Sequence, residues 1–402
     1  VNATGALAIH YVASVRIPSE RANAYQILVQ CDALAAAGHH VTLVAPKRAN
    51  SFALRDADIA AHYGLRAAPR LVRLFTLDWI DAVPPRFQRV PFLIQSATFA
   101  FSVKRWLARH PADVVYTRDQ YSLALLARSG VPLVYEAHDL PRSPTARRAL
   151  VRALGASLGI IAITHGLADD LAELGVERSR IEVLPDGFDP RRFAAMPTRA
   201  DARSRLGIAQ DARLVVYAGQ FFAWKGVDTL VDAAARAPSL SVLLVGGRPD
   251  DRARIEARVR STGAAHVRLH PPVEPSMVPQ FLAAADVLVI PNSAKEPISA
   301  RYTSPLKLFE ALAAGRAVVA SDLPSLREVL HEDNAVLVRP DDPEALARGL
   351  ERAMQDVEGS SRRAERGRQD VQQWTWDARA AAIAAHARRW LAASRDTRGV
   401  GR

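Results

Sequence analysis

A single cysteine in 402 residues, Cys31, removes internal disulfides and multi-thiolate metal sites from consideration. It falls on the apolar side of a predicted helix with Ile27, Leu28 and Leu34, the setting of a core residue. Long apolar runs are missing as well: nothing approaches the ~20 uninterrupted residues of a membrane-spanning helix. The first residues lack the basic start and apolar stretch of a signal peptide, so export is not indicated and a cytoplasmic protein is expected. No Gly-x4-Gly-Lys-Ser/Thr loop occurs, which leaves a P-loop kinase or ATPase unsupported. No Gly-x-Gly-x-x-Gly follows the first predicted strand, which argues against a dinucleotide enzyme. His and Cys nowhere have zinc spacing. Asp56-Ala57-Asp58 has the Asp-x-Asp form of a metal site, but it lies in an Ala-rich, helix-like stretch and reads as chance.

Lysine is also scarce, with five in the chain against a formal net charge of +11 that arginine supplies. Such a balance suits an anionic partner: a membrane, a nucleic acid or a phosphorylated substrate. Arginine is nevertheless spread along the whole chain, which coding bias alone would produce. Apolar content of 49% and charged content of 24% are those of an ordinary globular protein, and the length calls for two domains.

Leu7–Val12 reads as a first strand, a helix follows to about Ala37, and Val41–Ala45 is the second strand. This βαβ unit favours a parallel sheet with right-handed crossover, whose ligands bind beyond the carboxyl ends of the strands. Glu20, Arg21 and Asn23 lie in the loop there, where Arg21 either meets a phosphate or acidic acceptor or forms a surface ion pair. From about Asp78 to His110, aromatics such as Phe87, Phe92, Phe101 and Trp106 mingle with Arg86, Arg89, Lys104 and Arg105. That pattern fits a helix packed on the sheet with its outer side in water, since an aromatic stripe at helical spacing is usually core, with an amphipathic face resting on anionic lipid as the alternative. Strands at Asp113–Tyr116 and Leu133–Glu136 lead into polar tips that carry Arg118 and His138.

The second half begins again with a strand, Leu214–Gly219, and a turn, Gln220–Gly226, opening a helix. Ser241–Gly246 is a buried strand ending in glycine, where backbone approaches a ligand closely. In Tyr302–Gly315, Ser304 suits an N-cap and Pro305 the first helical position, with Lys307 and Glu310 on one face away from the apolar stripe. Free N–H groups at such a helix start bind phosphate, and Lys307 adds a cation. Two of the five lysines, Lys225 and Lys307, fall in these two motifs, which weighs against a merely solvated role for either.

The Tyr302–Gly315 segment resembles the donor-site motif of the retaining GT-B glycosyltransferases of family 4. Gln220–Gly226 resembles the family's diphosphate clamp, and Ile181–Pro190 its interdomain segment. The resemblance implies an α/β fold of two Rossmann-like doubly wound domains facing across a cleft, with a C-terminal helix crossing back. It puts an acceptor-binding domain at residues 1–192, a nucleotide-sugar domain at 193–373, and the returning helix and tail at 374–402. The implied reaction moves a sugar from a nucleotide-diphosphate donor, with no metal or other cofactor, to a glycan, lipid-linked or small-molecule acceptor. His138, beside the reacting carbon, and Glu310, which would hold the ribose, are then the catalytic candidates. Gly219, Gln220, Lys225, Gly246, Val273, Ser304, Pro305, Leu306 and Lys307 would line the donor site, while Glu20, Arg21, Asn23 and Arg118 would face the acceptor. The pattern departs from the family at Tyr302, where a sugar-contacting glutamate is usual, and at Gln220, where an arginine is usual. Two rivals stay open: an epimerase or hydrolase of the same fold, and a nucleotide-sugar scaffold without catalysis. Peripheral contact with an anionic membrane at its inner face is a further expectation, whereas nucleic acid is not an expected partner.

Overall fold

The computed structural model describes residues 5–19, 21–48 and 58–399, and the chain forms two compact units. The first takes the chain as far as Ile163, then Leu167–Pro185, and regains it from Trp376; the second comprises Asp186–Thr375 with Thr164–Gly166.

Seven parallel strands build the first unit. They are β1 (Ala8–Val12), β2 (His40–Pro46), β3 (Arg70–Leu74), β4 (Val114–Thr117), β5 (Leu133–Ala137), β6 (Gly159–Ala162) and β7 (Ile181–Val183). Their order across the sheet is β3-β2-β1-β4-β5-β6-β7. Every position of β4, β5 and β6 is buried, as expected of strands covered on both faces, and this explains their continuous apolar sequence. The order reverses between β1 and β4, so the loops after these strands diverge and leave a crevice at their carboxyl ends.

Helix α1 (Ala22–Ala36) buries every residue from Ala24 to Leu34, Cys31 among them. A helix is buried all round only if something covers its outer side. Here that cover is the C-terminal helix, Trp376–Gly399, which packs directly on α1. Its Trp390 indole lies flat on the backbone of Gly159, where an added Cβ would come within 2.2 Å of the ring.

In the stretch that the sequence left open, the structure shows a packed helix whose outer side is also apolar. Helix α2 (Arg89–Leu107) turns Pro91, Gln95, Phe99, Val103 and Leu107 inward at four-residue spacing and packs on α3 (Gln120–Leu126). The Asp119 side chain caps α3 by accepting the Ser122 N–H at 2.8 Å. The outer side of α2 leaves Phe92, Leu93 and Phe101 in solvent. Of the Asp-x-Asp sequence, Asp56 and Ala57 lie outside the described residues, and Asp58 caps the short helix Ile59–Tyr63.

Six parallel strands build the second unit: β8 (Leu214–Gly219), β9 (Ser241–Gly246), β10 (Val267–His270), β11 (Val287–Ile290), β12 (Ala317–Ser321) and β13 (Val336–Val338). They run in the order β10-β9-β8-β11-β12-β13, with the reversal between β8 and β11. One face of this sheet packs Val216, Leu288, Phe309 and Leu312 into a core, and the other packs Tyr217, Leu230, Leu244 and Leu350. Helices α4 (Val227–Arg236) and α5 (Leu306–Ala313) both start near the carboxyl ends of the strands.

Candidate functional site

Gly226 fixes the geometry after β8. Its φ of 70° is left-handed, and an added Cβ would lie 1.7 Å from the Pro291 carbonyl oxygen. No other residue type fits, so the Gln220–Gly226 turn sits tight against the loop after β11. The Trp224 carbonyl secures it, accepting the Ser293 N–H at 3.0 Å and the Ser299 hydroxyl at 3.2 Å. Lys225 is thereby held at the switch point of the sheet, its ammonium 3.9 Å from the centre of the Trp224 ring.

Lys307 enters the same region from the first turn of α5. Its Nζ is shielded from solvent, has no hydrogen-bond partner among the described residues, and stands 4.3 Å over the Tyr217 ring. Burial pulls the Lys225 pKa down to about 7. Burial, and then the charge of Lys225, hold Lys307 well below the ordinary lysine value. A buried amine without a hydrogen-bond partner among the described residues, held down further by the charge of a second amine, is in an unfavourable setting until an anion arrives. Beside them Asn292 is fully buried, and neither its amide nitrogen nor its oxygen has a partner among the described residues. The Gln220 Oε1 atom is likewise buried without one.

Ser304 departs from its expected part. Helix α5 begins at Leu306 with Pro305 as N-cap and no side-chain cap, because the Ser304 hydroxyl accepts the Asp186 N–H at 2.9 Å instead. The start of α5 is therefore left without a side chain over its first N–H groups, a better seat for an anion than a capped one. Glu310 is not a free carboxylate: its Oε1 accepts from Arg192 at 2.8 Å, and Arg192 also donates to the Pro275 carbonyl. Gly219 and Gly246 approach so closely that a Cβ on Gly246 would lie 2.3 Å from the Gly219 oxygen. Val273 lies in the loop after β10 and packs at the edge of the core that contains Leu308 and Phe309. Arg192, which sits in what reads as hinge sequence, and Asn292, which follows the apolar run of β11, carry no motif that would single them out.

In the first unit His138 follows β5, and its Nε2 bonds the Glu136 carboxylate. Glu136, 1% exposed, also accepts from the Tyr116 hydroxyl and, at 3.0 Å, from Arg379 of the C-terminal helix. Arg379 is anchored in turn by the Gln30 amide oxygen and, at 2.9 Å, by the Pro185 carbonyl. Burial alone would raise the Glu136 carboxyl, but Arg379 first and His138 next outweigh it and hold the group well below the usual range. Burial, helped by the Arg118 charge, lowers the His138 pKa to about 4. At neutral pH the pair is thus a carboxylate and a neutral imidazole. A carboxylate only accepts, so the proton sits on Nε2, and Nδ1 presents a lone pair.

Arg118 donates to the Gln26 amide oxygen, and its charge is felt at His138. Arg21 is the N-cap residue of α1, its side chain exposed and making no cap bond, and the Asn23 side-chain oxygen is buried without a partner among the described residues. Glu20 lies outside the described residues. Glu136 and Arg379 are 243 positions apart, and only the polar residue inside an apolar strand hinted at the first of them.

Two family models match the chain: glycosyl transferases group 1 over residues 212–356 and glycosyltransferase family 4 over residues 25–192. The D-inositol 3-phosphate glycosyltransferase of Xylanimonas cellulosilytica is 33% identical over 300 residues, which is 67% of this chain and 70% of that protein. The sucrose-phosphate synthase of Thermosynechococcus elongatus matches in structure with a TM-score of 0.79 at 23% identity, over 96% of this chain and 100% of that one. Anabaena HepE, solved in complex with UDP-glucose, matches with a TM-score of 0.74 at 19% identity, over 94% of this chain and 98% of that one. The two Rossmann-like parallel-sheet domains expected from the sequence are those of the GT-B fold.

Proposed function

We propose that this chain, which belongs to the group 1 glycosyltransferases, takes its sugar from a nucleoside-diphosphate donor and passes it, with retention of configuration, to an acceptor hydroxyl. The observation that supports this reading is the pair of desolvated lysines at the switch point of the second sheet, one of them with no partner for a buried ammonium. A diphosphate supplies the missing charge. As the glycosidic bond breaks, negative charge grows on the leaving diphosphate. Lys225, Lys307 and the uncapped start of α5 would meet it, and groups held in place by the fold would need little reorganisation in the transition state. No metal is needed for that neutralisation.

Glu310 would grip the donor ribose through Oε2, the oxygen that Arg192 leaves free, while Arg192 holds the carboxylate in position. His138 would accept a hydrogen bond from a sugar hydroxyl at Nδ1, its ring fixed by Glu136. The curated relatives act on an inositol phosphate by name, and a hydroxylated acceptor of sugar or polyol type is the class proposed here, in the synthesis of a cell-surface glycan or glycolipid.

A thermal-shift panel of UDP, GDP, ADP and dTDP with their sugars, run without divalent cations, tests the donor site. One nucleotide is expected to stabilise the protein, by about 2.7 kcal/mol at 100 times its dissociation constant. Lys225→Ala and Lys307→Ala should blunt that shift. No shift with any nucleotide would remove the donor reading.

A further inference from the structure

Nine of the eleven large apolar side chains that the described residues leave exposed lie between Phe75 and Tyr121, all in the first unit. The patch is not scattered. Along the outer side of α2, Val90, Leu93, Ala97 and Phe101 recur at spacings of three and four, so they form one stripe diametrically opposed to the packed stripe of Pro91, Gln95, Phe99 and Val103. Phe92 extends the stripe sideways by meeting Tyr121 of α3 edge-on, with ring centres 5.7 Å apart. Phe87, 59% exposed, and Phe101, 63% exposed, mark its two ends.

The charge along this stripe is mostly of one sign. Between Asp81 and Asp113 the sequence contains no acidic residue and five cations, Arg86, Arg89, Lys104, Arg105 and Arg109, every one exposed. Lys104 and Arg105 follow Phe101 by one helical turn, and Arg86 lies over the Phe87 ring at 4.9 Å. The two acids at the near edge are already paired, Asp78 with Arg48 at 2.7 Å and Asp81 with Arg16. An apolar centre whose unpaired edge charges are cations matches a plane that is apolar below and anionic above, where aromatic rings enter the interface and the long basic side chains reach the headgroups. No helix among the described residues is long and apolar enough to cross a bilayer.

We propose that the outer face of α2, with the flanking Phe87 and Tyr121, docks the first unit on the surface of an anionic lipid bilayer. This goes beyond the donor reading and does not depend on it.

The test is co-sedimentation of the full chain with sucrose-loaded vesicles of phosphatidylcholine and phosphatidylglycerol at seven to three, against phosphatidylcholine alone. The wild type is expected to pellet with the mixed vesicles at 0.1 M salt, to be released at 0.5 M, and to stay in solution with the neutral ones. Phe87→Ser with Phe101→Ser, and separately Lys104→Glu with Arg105→Glu, should each lower the partition coefficient at least tenfold. Because all four side chains are exposed, the thermal midpoint and the nucleotide-induced shift should not change in either variant. Equal sedimentation with both vesicle types, or variants that bind as the wild type does, would overturn the proposal. So would a dimer that the same substitutions split to monomer without any vesicle binding, which would make the face a contact between copies.

Discussion

Lys225 and Lys307 make ligand binding a proton-linked event. Burial depresses the Lys225 pKa to about 7, so at pH 8 most copies of the free protein hold it neutral, and Lys307 lies below its ordinary value for the same reason. A bound diphosphate favours the charged amines and draws protons from the buffer. Calorimetry of nucleoside-diphosphate binding at pH 8, in Tris and in Hepes, should show net proton uptake, and affinity should fall as pH climbs from about 7 to 9. Uptake of zero would mean that the lysines do not meet the phosphates. The sign of the stability effect follows from the same depression. Between about 7 and the ordinary 10.5 the unfolded chain binds a proton at residue 225 that the folded one does not, so the free protein gains stability with rising pH across that window. This property was half legible in the sequence. Two of five lysines falling in two motifs marked the pair, but nothing in the spacing of residues 225 and 307 says that both amines are desolvated. Burial is a product of the whole core.

The elements were read more easily than their ends. Continuous apolar runs bounded by glycine and polar residues located the strands, because parallel strands are covered on both faces and need no alternation. The start of α5 was misplaced by one residue. Ser304 has the chemistry of an N-cap, yet its hydroxyl oxygen is turned to the Asp186 N–H, 118 positions away. The C-terminal helix was expected to return, but its purpose at Arg379 was not visible, since an arginine in an Arg-rich helix looks like any other. Replacing Arg379 by Met leaves Glu136 buried with its chief counter-charge gone, and urea denaturation at pH 7 should show a loss of about 3–5 kcal/mol. Combining it with Glu136→Gln should recover part of that loss. A single-variant cost under about 1 kcal/mol would show that the pair does not hold the helix. The Glu136 pKa is depressed in the fold, so its contribution is present at neutral pH and is lost as pH falls below the ordinary carboxylate value toward the folded one. The Arg379 variant should accordingly be less sensitive to acid than the wild type.

At the scale of the molecule, the two units are built differently from the same pattern. The second is nearly one continuous stretch with a core on each face of its sheet, so residues 186–375 produced alone should fold cooperatively and keep the nucleotide-induced stabilisation. An unfolded fragment, shown by flat near-ultraviolet dichroism and no thermal transition, would count against that independence. The first unit has no such stretch, since its last helix arrives only after the second unit has been made. On a ribosome adding about 5–20 residues per second, the 243 positions from Glu136 to Arg379 take roughly 12–50 s to pass. Throughout that interval a nascent first unit has a carboxylate in its centre with its chief counter-ion still unsynthesised, and one side of α1 has nothing to lie against. Its native state becomes available only once synthesis has reached Arg379, so the second sheet can be completed as a folded unit before the first, the reverse of their order along the chain.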